Sequence, residues 1–220
     1  MATVFHFGDL NSPINDQFVY LDTSFAYEII GKSEYPARQN ECIQFTKAVV
    51  SRGGLLVLST KTREELRLMI PAKEFEPNRK KRKARIAQSP TLIIGAAARV
   101  QAAETVFSDS GKGYAYIEDL GHEPCGNELL RLTDHAMVSY NIEYGDAAHY
   151  VIARNCGLWD QGSSVHVATL DADWLRISDP LLVLHVDTNT YNQHIATTPA
   201  ATNQLPTAIA CLGTANPQKT

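Results

Sequence analysis

The chain has 220 residues, enough for one sizeable α/β domain carrying an insertion and a tail. Hydrophobic residues make up 44% and charged residues 20%, the balance of a soluble globular fold, and no apolar run approaches the roughly 20 residues needed to cross a bilayer. The net charge of −4 hides an asymmetry, because RKKRKAR at residues 79–85 holds six positive charges and leaves −10 on the remainder.

The N-terminal MATVFHFGDLNSP lacks a basic segment followed by an apolar one, so no secretory leader is expected and a cytoplasmic location is. Cys42, Cys125, Cys156 and Cys211 are widely spaced and form no C-x-x-C pair. They read as free thiols, not as a zinc site or a disulfide framework.

In chain order, residues 1–17 read as a loosely structured extension with Asn-Ser-Pro and Asn-Asp turn signals. FVYL (18–21) is a short strand, and SFAYEII follows with helical spacing and Gly31 at the C-cap place. A second helix is expected from Arg38 to Ser51, stopping at Gly53-Gly54. LLVLS (55–59) is a continuous apolar strand of the kind buried on both faces in a parallel sheet. The helix after it has Thr62 and Glu65 at capping-box spacing.

An inserted region covers about residues 73–127. It holds the basic run, an Ala-rich helical stretch at 91–107 and a short strand in YAYIE. Residues 128–140 and 146–157 have helical periodicity. SVHVATLDADWLRI (164–177) gives a strand to Leu170 and then an acidic turn, and LLVLHV (181–186) is the last strand. Residues 188–220 turn to Thr, Ala, Asn, Gln and Pro, the composition of a flexible polar tail. Strands alternating with helices over residues 18–187 predict a three-layer α/β/α sandwich around a central parallel sheet.

The acids share one topological address. Asp22 follows the first strand, Glu65 lies early in the helix after the second, Asp146 opens a helix, and Asp171 and Asp173 follow the strand VHVATL. In a doubly wound sheet the carboxyl ends of the strands converge on one crevice. Carboxylates crowded there repel one another, and a hard divalent cation resolves the repulsion. Oxygen ligands without nitrogen or sulphur favour Mg²⁺ or Mn²⁺, and such a centre suits phosphodiester hydrolysis.

VYLDTSFAYEI, TREELRLMI, GDAAHYVIARNCG and VATLDADWL, in that order, resemble the four acidic motifs of PIN-domain ribonucleases, over roughly residues 18–187. The resemblance implies a PIN-like fold and Mg²⁺- or Mn²⁺-dependent cleavage of RNA. It assigns catalysis and metal binding to Asp22, Glu65, Asp146 and Asp171, with Asp173 assisting the metal. Thr23, Ser24 and Thr169 would position carboxylates or the scissile phosphate, and Trp174 completes the fourth motif. Many small members resemble the VapC toxins of toxin–antitoxin pairs, which implies an antitoxin protein as partner, and a homodimer is also in keeping with the family. This chain departs from those compact toxins in its N-terminal extension, inserted region and tail.

Each acid also has a plainer role. Asp22 suits a helix cap, Glu65 a capping box with Thr62, Asp146 a helix dipole, and Asp171 and Asp173 a turn. The four in order weigh toward a metal site. Asp134 and Glu143 are open as further members, and no role falls to His135 or His149. Arg79, Lys80, Lys81, Arg82, Lys83 and Arg85 are expected to contact RNA phosphates. The resulting expectation is a metal-dependent endoribonuclease. The alternative is a catalytically weak PIN-like module that binds RNA or protein. A haloacid dehalogenase-type phosphatase is set aside, since Asp22-Thr23-Ser24 lacks the second aspartate of an Asp-x-Asp nucleophile motif.

Overall fold

A computed structural model describes residues 1–30, 35–66, 116–117, 123–156, 159 and 162–197. The expectations for the basic run 79–85, the helical stretch 91–107 and residues 198–220 lie outside the described residues. Among the described residues six strands form one sheet in the order β1-β6-β5-β2-β3-β4. They are β1 (Thr3–His6), β2 (Phe18–Leu21), β3 (Leu55–Val57), β4 (Tyr116–Ile117), β5 (Val165–Thr169) and β6 (Leu182–Val186). All five pairings are parallel. The described helices are α1 (Thr23–Ile30), α2 (Pro36–Ser51), α3 (residues 60–66), α4 (Gly126–Tyr140), α5 (Tyr144–Asn155) and α6 (Thr188–Thr197). A 3₁₀ turn, Ala172–Arg176, follows β5. The three-layer parallel α/β/α architecture read from the alternation is therefore present.

The two-residue repeat of a strand explains the two cores. Val19 and Leu21 of β2 point to one face, where Phe25 of α1 and Phe45 and Val49 of α2 cover them. Tyr20 points to the other, with Val165, Val167, Leu182 and Leu184 beside it and Val151 and Ile152 of α5 above. Every residue of β5 and β6 is buried, which is why both strands are mostly apolar, with only His166, Thr169 and His185 among them polar. Gly53 adopts φ +79 just after α2, a backbone conformation that glycine takes without strain, which explains the stop there.

Three expectations need correction. Residues 1–17 are not simply a loose extension: β1 pairs with β6 from Thr3↔Val183 to His6↔Val186 and forms the sheet edge. Phe7 continues it into the core, its ring 5.2 Å from that of Phe25 and 4.8 Å from that of Phe45. Ser12 Oγ lies 3.1 Å from His185 Nδ1, and His185 Nε2 lies 3.1 Å from His166 Nδ1, so a buried polar chain ties the same segment to β6 and β5. The polar stretch after Asp187 begins as a helix, α6, with Asp187 accepting from the Thr190 amide at 2.9 Å. Thr62 is not a cap either. Ser59 caps α3, its hydroxyl accepting from the Thr62 amide at 3.0 Å, and Thr62 turns inward to donate to the Leu21 carbonyl. Among the described residues no helix is long and apolar enough to cross a membrane.

Candidate metal centre

Strand order reverses between β5 and β2. The chain leaves β2 through α1 and α2 toward β3 and reaches β5 from α4 and α5 on the opposite face, so the carboxyl ends of β2 and β5 adjoin at a switch point. The Asp22 amide extends the ladder by donating to the Ala168 carbonyl at 3.1 Å, which sets Asp22 beside the end of β5.

Asp22 is 3% exposed, and its Oδ2 collects three hydrogen bonds. Ser24 Oγ donates at 2.5 Å, Thr169 Oγ1 at 3.0 Å and the Ser24 amide at 3.3 Å. Ser24 Oγ also accepts from the Leu170 amide at 3.0 Å, and the Asp171 amide donates to Thr169 Oγ1 at 3.0 Å. The hydroxyls of Ser24 and Thr169 thus hold the floor of the site and the turn after β5 together. Asp22 also begins α1, its carbonyl accepting from the Ala26 amide. Its capping role coexists with a charge effect on Asp146, although Asp22 lies outside the close trio of Asp146, Asp171 and Asp173.

Asp146 sits in the first turn of α5 and faces the same point. One carboxylate oxygen from each of Asp146, Asp171 and Asp173 lies within 4.8 Å of the others. Asp171 caps the 3₁₀ turn by accepting from the Asp173 amide at 3.0 Å, which presents both carboxylates on one side. Arg176 Nη2 reaches Asp173 at 3.3 Å. Burial, followed by the charges of Asp171, Asp22, Asp173 and Glu143, raises the Asp146 carboxyl to about 7. That elevation marks a half-buried carboxyl whose charged neighbours include several other carboxylates. The donor set is all oxygen and half-buried, and so fits a hard divalent cation.

Glu65 stands apart from this trio. Its Oε1 accepts from Lys61 at 2.6 Å, while Oε2 accepts from Thr23 Oγ1 at 2.6 Å and lies 2.9 Å from His149 Nε2. Burial pushes its carboxyl up, but the hydrogen bond and charge of His149, with those of Lys61 and Thr23, bring it down to about 2. Thr23 therefore positions Glu65, and Ser24 and Thr169 position Asp22. Glu143 precedes α5 and contributes charge to Asp146, whereas Asp134 lies on an exposed stretch of α4.

His149 and Tyr20 carry no part of the acidic pattern, yet both belong to this site. Asp146 and His149 are three residues apart on α5, and that spacing on one helix face is the signal that sequence offered. Comparison with known proteins finds no family model and no curated protein that matches the chain.

Proposed function

We propose that the protein is a metal-dependent endoribonuclease that hydrolyses phosphodiester bonds at the carboxyl edge of the sheet. The observation that carries the reading is the convergence of Asp146, Asp171 and Asp173 within 4.8 Å at that edge. These three would hold a Mg²⁺ or Mn²⁺ ion, with Asp22 adjoining. When bound, such an ion supplies Lewis-acid stabilisation of negative charge on a phosphodiester and eases loss of a proton from water.

The chain's own residues supply geometry. Ser24 and Thr169 fix Asp22, and the Asp171 cap fixes the spacing to Asp173. Water adds to phosphorus in line with the leaving 3′ oxygen, whose bond breaks to give a 3′-hydroxyl and a 5′-phosphate. RNA as the substrate is supported by the order of the acidic motifs and by the basic run from Arg79 to Arg85 on an otherwise acidic chain. Toxin identity, an antitoxin partner and a homodimer come only with the resemblance to PIN-domain toxins.

The test is cleavage of end-labelled single-stranded RNA with Mn²⁺ against EDTA, for the wild type and for Asp146→Asn and Asp171→Asn. The reading expects metal-dependent cleavage that falls at least about a hundredfold in each variant, the order of loss when one stabilising group of a site is removed. RNA binding without cleavage, insensitive to EDTA and to both substitutions, would replace it with the binding-module alternative.

A further inference from the structure

Arg176 closes the 3₁₀ turn that carries Asp173. Such a turn has about three residues per revolution, so residue 176 lies over residue 173. Arg176 Nη2 accordingly comes within 3.3 Å of Asp173 Oδ1. Nη1 of the same guanidinium donates to the Asn141 carbonyl at 3.0 Å. Asn141 ends α4 in the left-handed conformation, and that end of a helix presents unpaired carbonyls and the negative pole of its dipole. Arg176 is thus fastened at two points beside the acidic trio, while its side chain stays 55% exposed.

This fastening leaves most of the guanidinium open. Among the described residues the two contacts engage two of its five N–H groups and leave three. Lys61 and His149, by contrast, meet the oxygens of Glu65 at 2.6 Å and 2.9 Å. The charge balance shows what the open donors can serve. Three ionised carboxylates and one divalent ion leave one negative charge, and an arriving phosphodiester adds a second. A cation beside the trio relieves that repulsion, and a planar guanidinium matches paired phosphate oxygens.

We infer that Arg176 is a substrate-contacting residue, its open N–H groups taking a phosphate oxygen of RNA at the Asp146–Asp171–Asp173 centre. RNA as the anion rests on the nuclease reading; the seating of a half-exposed guanidinium against Asp173 does not. One turn then divides two tasks. Asp171 and Asp173 attract the ion, and Arg176 attracts the phosphate. Because Arg176 also competes with the ion for Asp173, its loss weakens RNA binding without weakening ion binding. A residue that merely braced the turn against α4 would loosen the ion as well when lost.

Calorimetric titration of the full chain with MnCl₂, for the wild type, Arg176→Gln and Arg176→Lys, measures the ion and reports that each variant keeps a folded centre. Fluorescence anisotropy of a labelled single-stranded oligouridylate, in CaCl₂ at several salt concentrations, measures the RNA. Arg176→Gln is expected to bind Mn²⁺ at least as tightly as the wild type and RNA at least about tenfold more weakly. Its slope of log affinity against log salt should be flatter by roughly 0.7. Arg176→Lys keeps the charge without the fork and should fall between. Equal RNA affinity in wild type and Arg176→Gln overturns the inference, as does Mn²⁺ affinity that falls in step with RNA affinity. Cleavage in MnCl₂ separates the two readings. A wild type that cuts RNA with the same KM and kcat as Arg176→Gln keeps the nuclease and loses the contact. A wild type that binds RNA through Arg176 but cuts nothing keeps the contact and loses the nuclease. No Mn²⁺ binding to the wild type overturns both.

Discussion

Asp146 at the head of α5 and Asp171 beyond β5 bring carboxylate oxygens within 4.8 Å of each other. The Asp146 carboxyl, raised from 3.8 to about 7, keeps its proton in the folded state across a pH range where the unfolded chain has lost it. Ion-free stability therefore falls, for this group, as pH rises from about 4 to about 7. Asp146→Asn removes that loss. In EDTA at pH 8 the variant is expected to unfold at higher urea than the wild type, and at pH 4 the gap should close.

The same proton competes with a metal. Mn²⁺ affinity is expected to drop by up to about tenfold per pH unit below about 7 and to level off above it. Saturating Mn²⁺ at a hundred times its dissociation constant should stabilise the wild type by about 2.7 kcal/mol, and EDTA should reverse the gain. Thermal melts with and without EDTA at pH 6 and pH 8 measure both.

Glu65 titrates in the opposite sense. Its carboxyl is lowered from 4.5 to about 2, so the stability it contributes is complete above about 4.5 and is lost as pH falls toward 2. Glu65→Gln is expected to cost about 1–3 kcal/mol at pH 7.5, because the amide keeps one acceptor oxygen and turns an N–H₂ donor toward either His149 or Lys61. It should also flatten the acid limb of the stability curve. Urea unfolding across pH 3–8 reads both effects.

Phe7 makes the N-terminal segment part of the fold. Its side chain packs on Phe25 and Phe45 with 6% exposure, and Phe7→Ala should cost about 3–5 kcal/mol in chemical denaturation. Deleting residues 1–7 should cost more, since it also strips β1 from β6. A truncated chain as stable as the full one would place the first strand outside the cooperative unit.

The basic run answers to salt. Replacing Arg79, Lys80, Lys81, Arg82, Lys83 and Arg85 with Gln is expected to weaken single-stranded RNA binding evenly across sequences. The slope of log affinity against log salt should flatten by roughly 0.7 for each phosphate contact removed. Fluorescence anisotropy at several salt concentrations measures it.

The sequence by itself determined the parallel sandwich. Mostly apolar runs at residues 18–21, 55–57, 165–169 and 182–186 are what strands covered on both faces require, and helical spacing filled the intervals between them. It also marked the acids, because a carboxylate directly after such a run falls at the carboxyl edge of the sheet. Two elements escaped it for a local reason. TVFH offers four mostly half-buried edge residues among turn signals, and TNTYNQHIAT has little apolar contrast; β6 and Asp187 order them from outside.

Only the tertiary structure decided which acids stand together. Asp146, Asp171 and Asp173 share one point, whereas Glu65 turns to Lys61, Thr23 and His149. Spacing along the chain cannot tell these apart, because the distance between two carboxylates is set by where α5 and α3 dock on the sheet.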